Sequence, residues 1–79
     1  MLVAPNQLVA FGRTIRKERR DRELSQEALA GLAGLSPKHV GEIELAKKDP
    51  RLTTVLKLVE ALELRPAELF AKYEERVAR

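Results

Sequence analysis

Ser25 to Leu45 reads SQEALAGLAGLSPKHVGEIEL, and this stretch decides the fold. It reads as two short helices joined by a tight turn. Ser25 is placed to cap the first, over residues 26–33, by accepting a hydrogen bond from a free backbone N–H of the first turn. Leu29, Leu32 and Ala33 then recur at helical spacing. Gly34 follows, a residue that can take positive φ without a Cβ clash and so ends helices. Ser36-Pro37 opens a second helix over residues 37–45, with serine as cap and proline at the first helical position. The small residues Ala30, Ala33 and Gly34 would let the two helices cross closely.

The second helix is two-faced. At about 100° per residue, Ile43, Glu44 and Lys47 lie on or near the side of Val40, and Lys38, Gly41, Glu42 and Leu45 lie opposite. One face serves a core and the other is free to meet a partner. Gly41 on that free face costs about 1 kcal/mol relative to alanine. It suits either helix–helix packing or close approach to a base pair. Two compact helices crossing near a right angle form a helix-turn-helix, the unit that DNA-binding proteins lay in the major groove.

The rest of the chain supplies three more helices. Helix 1 is expected over residues 6–22, with Leu8, Phe11 and Ile15 facing inward. Arg19 falls next on that face, and a core-facing arginine is costly unless paired. Glu44, on the inner side of helix 3, is the natural partner, so an Arg19–Glu44 ion pair tying helix 1 to helix 3 is expected. Helix 4 is expected over residues 53–63, with Leu52, Val55, Leu56, Val59 and Leu62 as its buried stripe. Pro66 suits the first position of helix 5, over residues 66–77. Phe70, Tyr73 and Val77 give helix 5 more apolar surface than a small monomer needs, and Leu58 lies off the helix 4 stripe. These four residues form the expected homodimer interface. Residues 1–5 and the last few are expected to fray. Strand-like alternation and hairpin signals are absent, so the fold class is all-α.

Seventy-nine residues make one small domain with one modest core. There is no cysteine and a single histidine, which excludes a disulfide and a typical zinc ligand set, and no other cofactor motif is present. No signal peptide or membrane-length apolar run is found, so a cytoplasmic protein without membrane contact is expected. The net charge is +3. From Arg13 to Arg51 there are ten Lys or Arg against seven Asp or Glu; from Leu52 onward there are five of each. The surplus therefore sits on the segment carrying the two-helix unit, as suits a polyanion binder. No nucleophile–base set or phosphate-cradling glycine loop is present, so no enzyme is expected.

These residues resemble the Cro/CI-type helix-turn-helix family, also called the Xre family of phage and bacterial repressors. The resemblance covers about Phe11 to Phe70. It rests on Phe11-Gly12, Ile15-Arg16 and Arg19, the Ser25-Gln26-Glu27-Ala28-Leu29-Ala30 run, and Gly34. Val40, Ile43 and Glu44, Asp49-Pro50, and Leu64-Arg65-Pro66-Ala67-Glu68-Leu69-Phe70 continue it in register. It implies a five-helix lambda-repressor-like domain with helices 2 and 3 as the helix-turn-helix and double-stranded DNA as partner. It also implies that Arg19 and Glu44 form a structural ion pair and that Gln26 touches phosphate at a helix N-terminus. Pro37, Lys38, Gly41, Glu42 and Leu45 would face the bases. Lys38 could donate to guanine, Glu42 accept from cytosine N4, and Leu45 meet a thymine methyl. His39, Lys47, Lys48, Arg51, Arg13 and Arg16 would hold phosphates, which set affinity and register.

Two departures from the family pattern carry consequences. Leu45-Ala46 stands where the family has a polar residue and glycine. Positive φ at Ala46 is disfavoured by roughly 1 kcal/mol, so helix 3 is expected to run on or leave by another route, which bears on Lys47. Pro37 has no side-chain donor, so DNA shape is expected to carry more of the specificity. The leading expectation is a bacterial or phage-encoded transcriptional regulator that binds a two-fold symmetric operator as a homodimer. Restriction–modification controller proteins, Cro-like repressors and antitoxins all fit this short form. The alternative is a protein-interaction module, antitoxin-like, with weak DNA binding; Glu42 and the absent glycine at position 46 favour it.

Overall fold

The computed structural model describes residues 5–77, with Pro5 described by its backbone alone. Among them run five α-helices and no strand: α1 (Pro5–Asp21), α2 (Gln26–Ala33), α3 (Pro37–Glu44), α4 (Leu52–Ala61) and α5 (Pro66–Val77). Each helix matches an expected one to within two residues at either end. The expected fraying at residues 1–4 and beyond 77 lies outside the described residues; Pro5, expected to fray, already begins α1.

Local chemistry sets the helix ends. Arg65 offers its backbone N–H to Glu68 Oε1 at 2.8 Å, the acidic half of a capping box, and Pro66 follows at the first helical position. Three helices end on a non-glycine residue with positive φ: Glu23 (φ 56°), Ala46 (φ 61°) and Glu63 (φ 56°). In each case the next N–H reaches back to a carbonyl of the last turn. Leu24 bonds Arg19 O at 3.1 Å, Lys47 bonds Glu42 O at 2.8 Å and Leu64 bonds Val59 O at 3.0 Å. These bonds satisfy carbonyls that the helix end would otherwise leave open.

Ile15, Leu29, Val40, Ile43, Leu58, Leu62 and Leu69 are fully buried and bring all five helices into one core. Burying each such side chain stabilises the fold by roughly 1.5–3 kcal/mol. Thr14, also buried, satisfies its hydroxyl by donating to Ala10 O at 2.8 Å, so it costs the core no unpaired polar atom. Arg22 and Glu18 join α1 to the far end of the bundle. Arg22 donates to Leu62 O at 2.7 Å and pairs with Glu18 at 3.0 Å, and Lys72 of α5 approaches Glu18 at 3.7 Å.

The stripe on α4 corrects the expectation from sequence. Leu58 is fully buried at 0% exposure, packed in the core of its own chain and not available to a second copy. Leu52 (68% exposed) and Leu56 (42%), expected inside, face out. The helix carries Leu or Val at six of its positions 52–62, so two stripes rotated by a fraction of a turn satisfy helical spacing equally. Packing selected the stripe Val55, Leu58, Val59 and Leu62. Leu32 on α2 is likewise exposed, while Leu29, Ala30 and Ala33 make the buried side of that helix.

Candidate nucleic-acid interface

The α2–α3 unit is built by the four residues that its sequence singled out. Ser25 is extended (φ −77°, ψ 166°) and its Oγ accepts from Ala28 N at 2.9 Å. Gly34 turns the chain at φ 70°, and Leu35 N donates to Ala30 O at 2.8 Å. Ser36 then caps α3, its Oγ accepting from His39 N at 3.1 Å, with Pro37 entering the first turn.

On α3, Val40, Ile43 and Glu44 are buried. Pro37, Lys38 and Leu45 are exposed, and His39, Gly41 and Glu42 are half-buried. The inner face is the one expected except for Lys47, which lies beyond the helix end and is exposed, and on the opposite face Gly41 and Glu42 are only half-exposed. Leu45, 60% exposed just past the helix end, is a large apolar side chain presented to solvent on the free face.

A buried polar network holds this face to the rest of the fold. Arg19 forks onto Glu44, Nε to Oε2 at 2.6 Å and Nη2 to Oε1 at 3.0 Å. Its remaining arm, Nη1, donates to Leu24 O at 2.8 Å, just ahead of α2. Gln26 Nε2 donates to the same Glu44 Oε1 at 3.0 Å. Donating hydrogen bonds to Glu44 raises the Arg19 pKa above its ordinary value, burial opposes it, and the Glu44 charge adds to the rise. One carboxylate thus fixes the end of α1, the start of α2 and the last turn of α3. The expected ion pair is present, and Gln26 joins it.

Two glycines have different reasons. A Cβ on Gly12 would stand 2.5 Å from Ile43 O and 2.6 Å from Glu44 O, so α1 crosses the last turn of α3 where only glycine fits. Gly12 was legible from the sequence only as part of a family pattern, and its packing role was not. A Cβ on Gly41 would meet the Gln26 side chain at 3.5 Å and beyond, an ordinary contact. Helix packing therefore does not require glycine at position 41.

The expected rerouting after α3 does not occur. α3 ends at Glu44, Leu45 N bonds Gly41 O at 3.0 Å, and Ala46 takes the positive φ that a glycine would have taken. The bonds from Ala46 N to Ile43 O and Lys47 N to Glu42 O close the helix end in spite of the Cβ. Lys47 is thereby fixed at the start of the connecting segment, and Lys47, Lys48 and Arg51 are all exposed there. Arg13 and Arg16 are exposed on α1 instead, around a shallow depression with Lys17, Arg20, Asp21 and Arg76. The sequence reading left out Arg20 and Arg76, because nothing in linear spacing links α1 to the end of α5.

Among the described residues there is no cluster of metal-ligating side chains, and no helix is long and apolar enough to cross a membrane. The helix-turn-helix family profile matches residues 15–69. Among solved structures, the restriction–modification controller protein C.AhdI from Aeromonas hydrophila is 44% identical, with 80% of this chain and 96% of that chain covered at a TM-score of 0.77. The controller protein C.Esp1396I shares the fold at 19% identity and a TM-score of 0.88, covering 92% of this chain and 96% of that one in a tetramer with its 35 base-pair operator. The clp gene regulator ClgR from Corynebacterium glutamicum also shares it, at 22% identity and a TM-score of 0.85, with 91% of this chain and 77% of that chain covered. No match was found among curated proteins. With its profile spanning most of the chain and a relative at this identity over almost its whole length, the chain belongs to the Cro/CI-type (Xre) helix-turn-helix family of DNA-binding transcription regulators.

Proposed function

We propose that the protein regulates transcription by binding a two-fold symmetric operator as a homodimer, in the manner of a restriction–modification controller protein. The observation that carries this reading is the free face of α3, where Lys38, Glu42 and Leu45 stand on a helix whose inner side is locked by the Arg19–Glu44–Gln26 network. Such a face supplies a donor suited to guanine, an acceptor suited to cytosine N4 and an apolar group suited to a thymine methyl. Lys47, Lys48 and Arg51 would take phosphates on one side of the groove. The N-terminus of α2, with Gln26, would take them on the other. Gln26 uses Nε2 toward Glu44, so the same amide group is already oriented when a phosphate arrives.

The dimer reading rests on exposed apolar side chains. Leu52 and Leu56 stand one turn apart on α4, and Phe70 of α5 lines a shallow groove with Val55, Tyr73, Phe11 and Leu8. Phe70 packs edge-on to Tyr73 with ring centres 6.4 Å apart. Leu52 and Leu56 therefore take the place on α4 that the sequence reading gave to Leu58, beside Phe70, which it already included. Two copies meeting there would present two α3 helices to successive major grooves, with half-sites about one helical turn apart. Similarity to C.AhdI supports the controller role within this class. No catalytic function is assigned.

Selection from randomised duplex DNA at near-physiological salt tests the proposal. Recovery of a two-fold symmetric motif is the expected result. Absence of any enriched sequence, with binding that decays uniformly as salt rises, would leave only a basic surface and refute it.

A further inference from the structure

On the solvent-facing arc of α1 four cations, Arg13, Arg16, Lys17 and Arg20, stand against one carboxylate, Asp21, and that arc lies between two packed neighbours. α3 crosses α1 at Gly12. At about 100° per residue, Arg16, Arg20, Arg13 and Lys17 fall about 40°, 80°, 100° and 140° round the helix from Gly12, before the side that meets α5. That α5 side holds Thr14 and Glu18, the latter within 3.7 Å of Lys72. Arg76, from the last turn of α5, closes the far edge of the same depression.

Both carboxylates of α1 are already paired. Glu18 is buried against Arg22 and Lys72, and Asp21 bonds Lys17 at 2.8 Å. Among the described residues, Arg13, Arg16, Arg20 and Arg76 have no ion-pair partner. Here four guanidinium groups from two helices share one depression, and guanidinium matches phosphate oxygens with paired donors.

The placement relative to the groove-reading face decides what this surface would hold. The C-terminal end of α1 is tied to the entry of α2 by Arg19 donating to Leu24 O, and Gln26 follows at the first position of α2. The cation arc therefore begins beside the phosphate end of the helix-turn-helix and leads away from α3 toward Arg76. We infer that Arg20 and Arg76, continuing from Arg13 and Arg16, form a second phosphate-binding surface that takes the backbone of duplex DNA lying outside the recognised half-site, so that flanking DNA curves against α1. This inference rests on the reading that α3 faces the operator. It extends the footprint beyond the half-site, and its energy is sequence-independent except through the ease of bending the flank.

The test compares two duplexes carrying the selected site: one ending at its outer edges, the other extended by about one helical turn on each side. The full chain is expected to bind the extended duplex more tightly and with a steeper salt dependence. The slope should differ by about 0.9 for each added phosphate contact. A variant carrying Arg20→Gln and Arg76→Gln is expected to bind the short duplex as the unmodified chain does and to lose the gain from the flanks. Replacing the same two by lysine should restore most of that gain, and thermal melting checks that both variants are folded. Equal affinity and slope on the two duplexes for the unmodified chain would overturn the inference, and would point the cluster to a different polyanion such as an acidic protein surface. An equal loss on short and extended duplexes would also overturn it, by placing these arginines on phosphates inside the half-site. Failure of the unmodified chain to bind the short duplex specifically would overturn the α3 reading itself and this inference with it.

Discussion

Glu44 is the residue on which the interface turns. It accepts three hydrogen bonds, two from Arg19 and one from Gln26, at 2.6–3.0 Å, and both members of the ion pair are buried. Breaking a buried pair by removing one partner leaves an uncompensated charge and costs about 3–5 kcal/mol. Glu44→Gln should therefore lower stability by about 3 kcal/mol in a denaturant titration, out of the roughly 4–12 kcal/mol expected for a domain of this length. A loss below about 1 kcal/mol would mean that Arg19 reaches water when Glu44 is neutralised. Gly41 supports the opposite kind of prediction. A Cβ there would make only ordinary contact with the Gln26 side chain, so Gly41→Ala should raise stability by about 1 kcal/mol through helix propensity. If the face meets DNA closely, the same substitution should weaken operator binding in a fluorescence-anisotropy titration. A more stable variant with undiminished affinity would show that the glycine serves neither packing nor DNA. Sequence alone showed Arg19 and Glu44, because a charge on an apolar stripe demands a partner. It did not show that Gln26 shares the carboxylate, since that contact depends on how closely α2 and α3 approach.

At the scale of the element, the caps were the most legible part of the chain. Ser25, Gly34, Ser36 and Pro37 are local devices whose effect needs no tertiary context, and all four act as their residue types dictate. Ala46 shows where local preference yields. Alanine disfavours the left-handed region, yet burial of Val40, Ile43 and Glu44 fixes α3, and two backbone bonds close its end, so the chain accepts the strain. Ala46→Gly should release it and raise the midpoint of thermal unfolding, equivalent to about 1 kcal/mol; an unchanged midpoint would mean that the position carries no strain. The rotation of α4 was not legible for a different reason. Leu52, Val55, Leu56, Leu58, Val59 and Leu62 span an arc of about 160° at 100° per residue, wider than one buried stripe, so spacing alone left the orientation open, and contact with α2 and α5 settled it. Gly12 belongs with this group. Its need for a bare Cα comes from carbonyls of residues 43 and 44, far away in sequence.

The whole molecule measures 33 × 22 × 20 Å, and its surfaces divide the work. The free face of α3 and the segment 47–51 form one side, the cation arc of α1 adjoins it, and exposed Leu52, Leu56 and Phe70 lie on α4 and α5. Assembly through that apolar surface predicts that Leu56→Glu with Phe70→Glu gives a monomer in sedimentation velocity while the melting profile stays cooperative. A dimer that persists in the double variant would locate the interface elsewhere, and Leu58→Ala should by contrast lower stability by about 2–5 kcal/mol without acting on assembly first. The sequence pointed to a dimer through α5 because aromatics gather there, but the α4 contribution required the rotation of that helix to be known. The central claim is that the α3 face reads bases. Its most direct test is the affinity of the unmodified chain and of a Lys38→Ala/Glu42→Ala variant for every single base-pair substitution of the selected operator. The variant should be folded and still bind DNA, with preference lost at the positions those two side chains face, each worth about 1–3 kcal/mol in discrimination. An unchanged preference profile across the whole operator would contradict that claim.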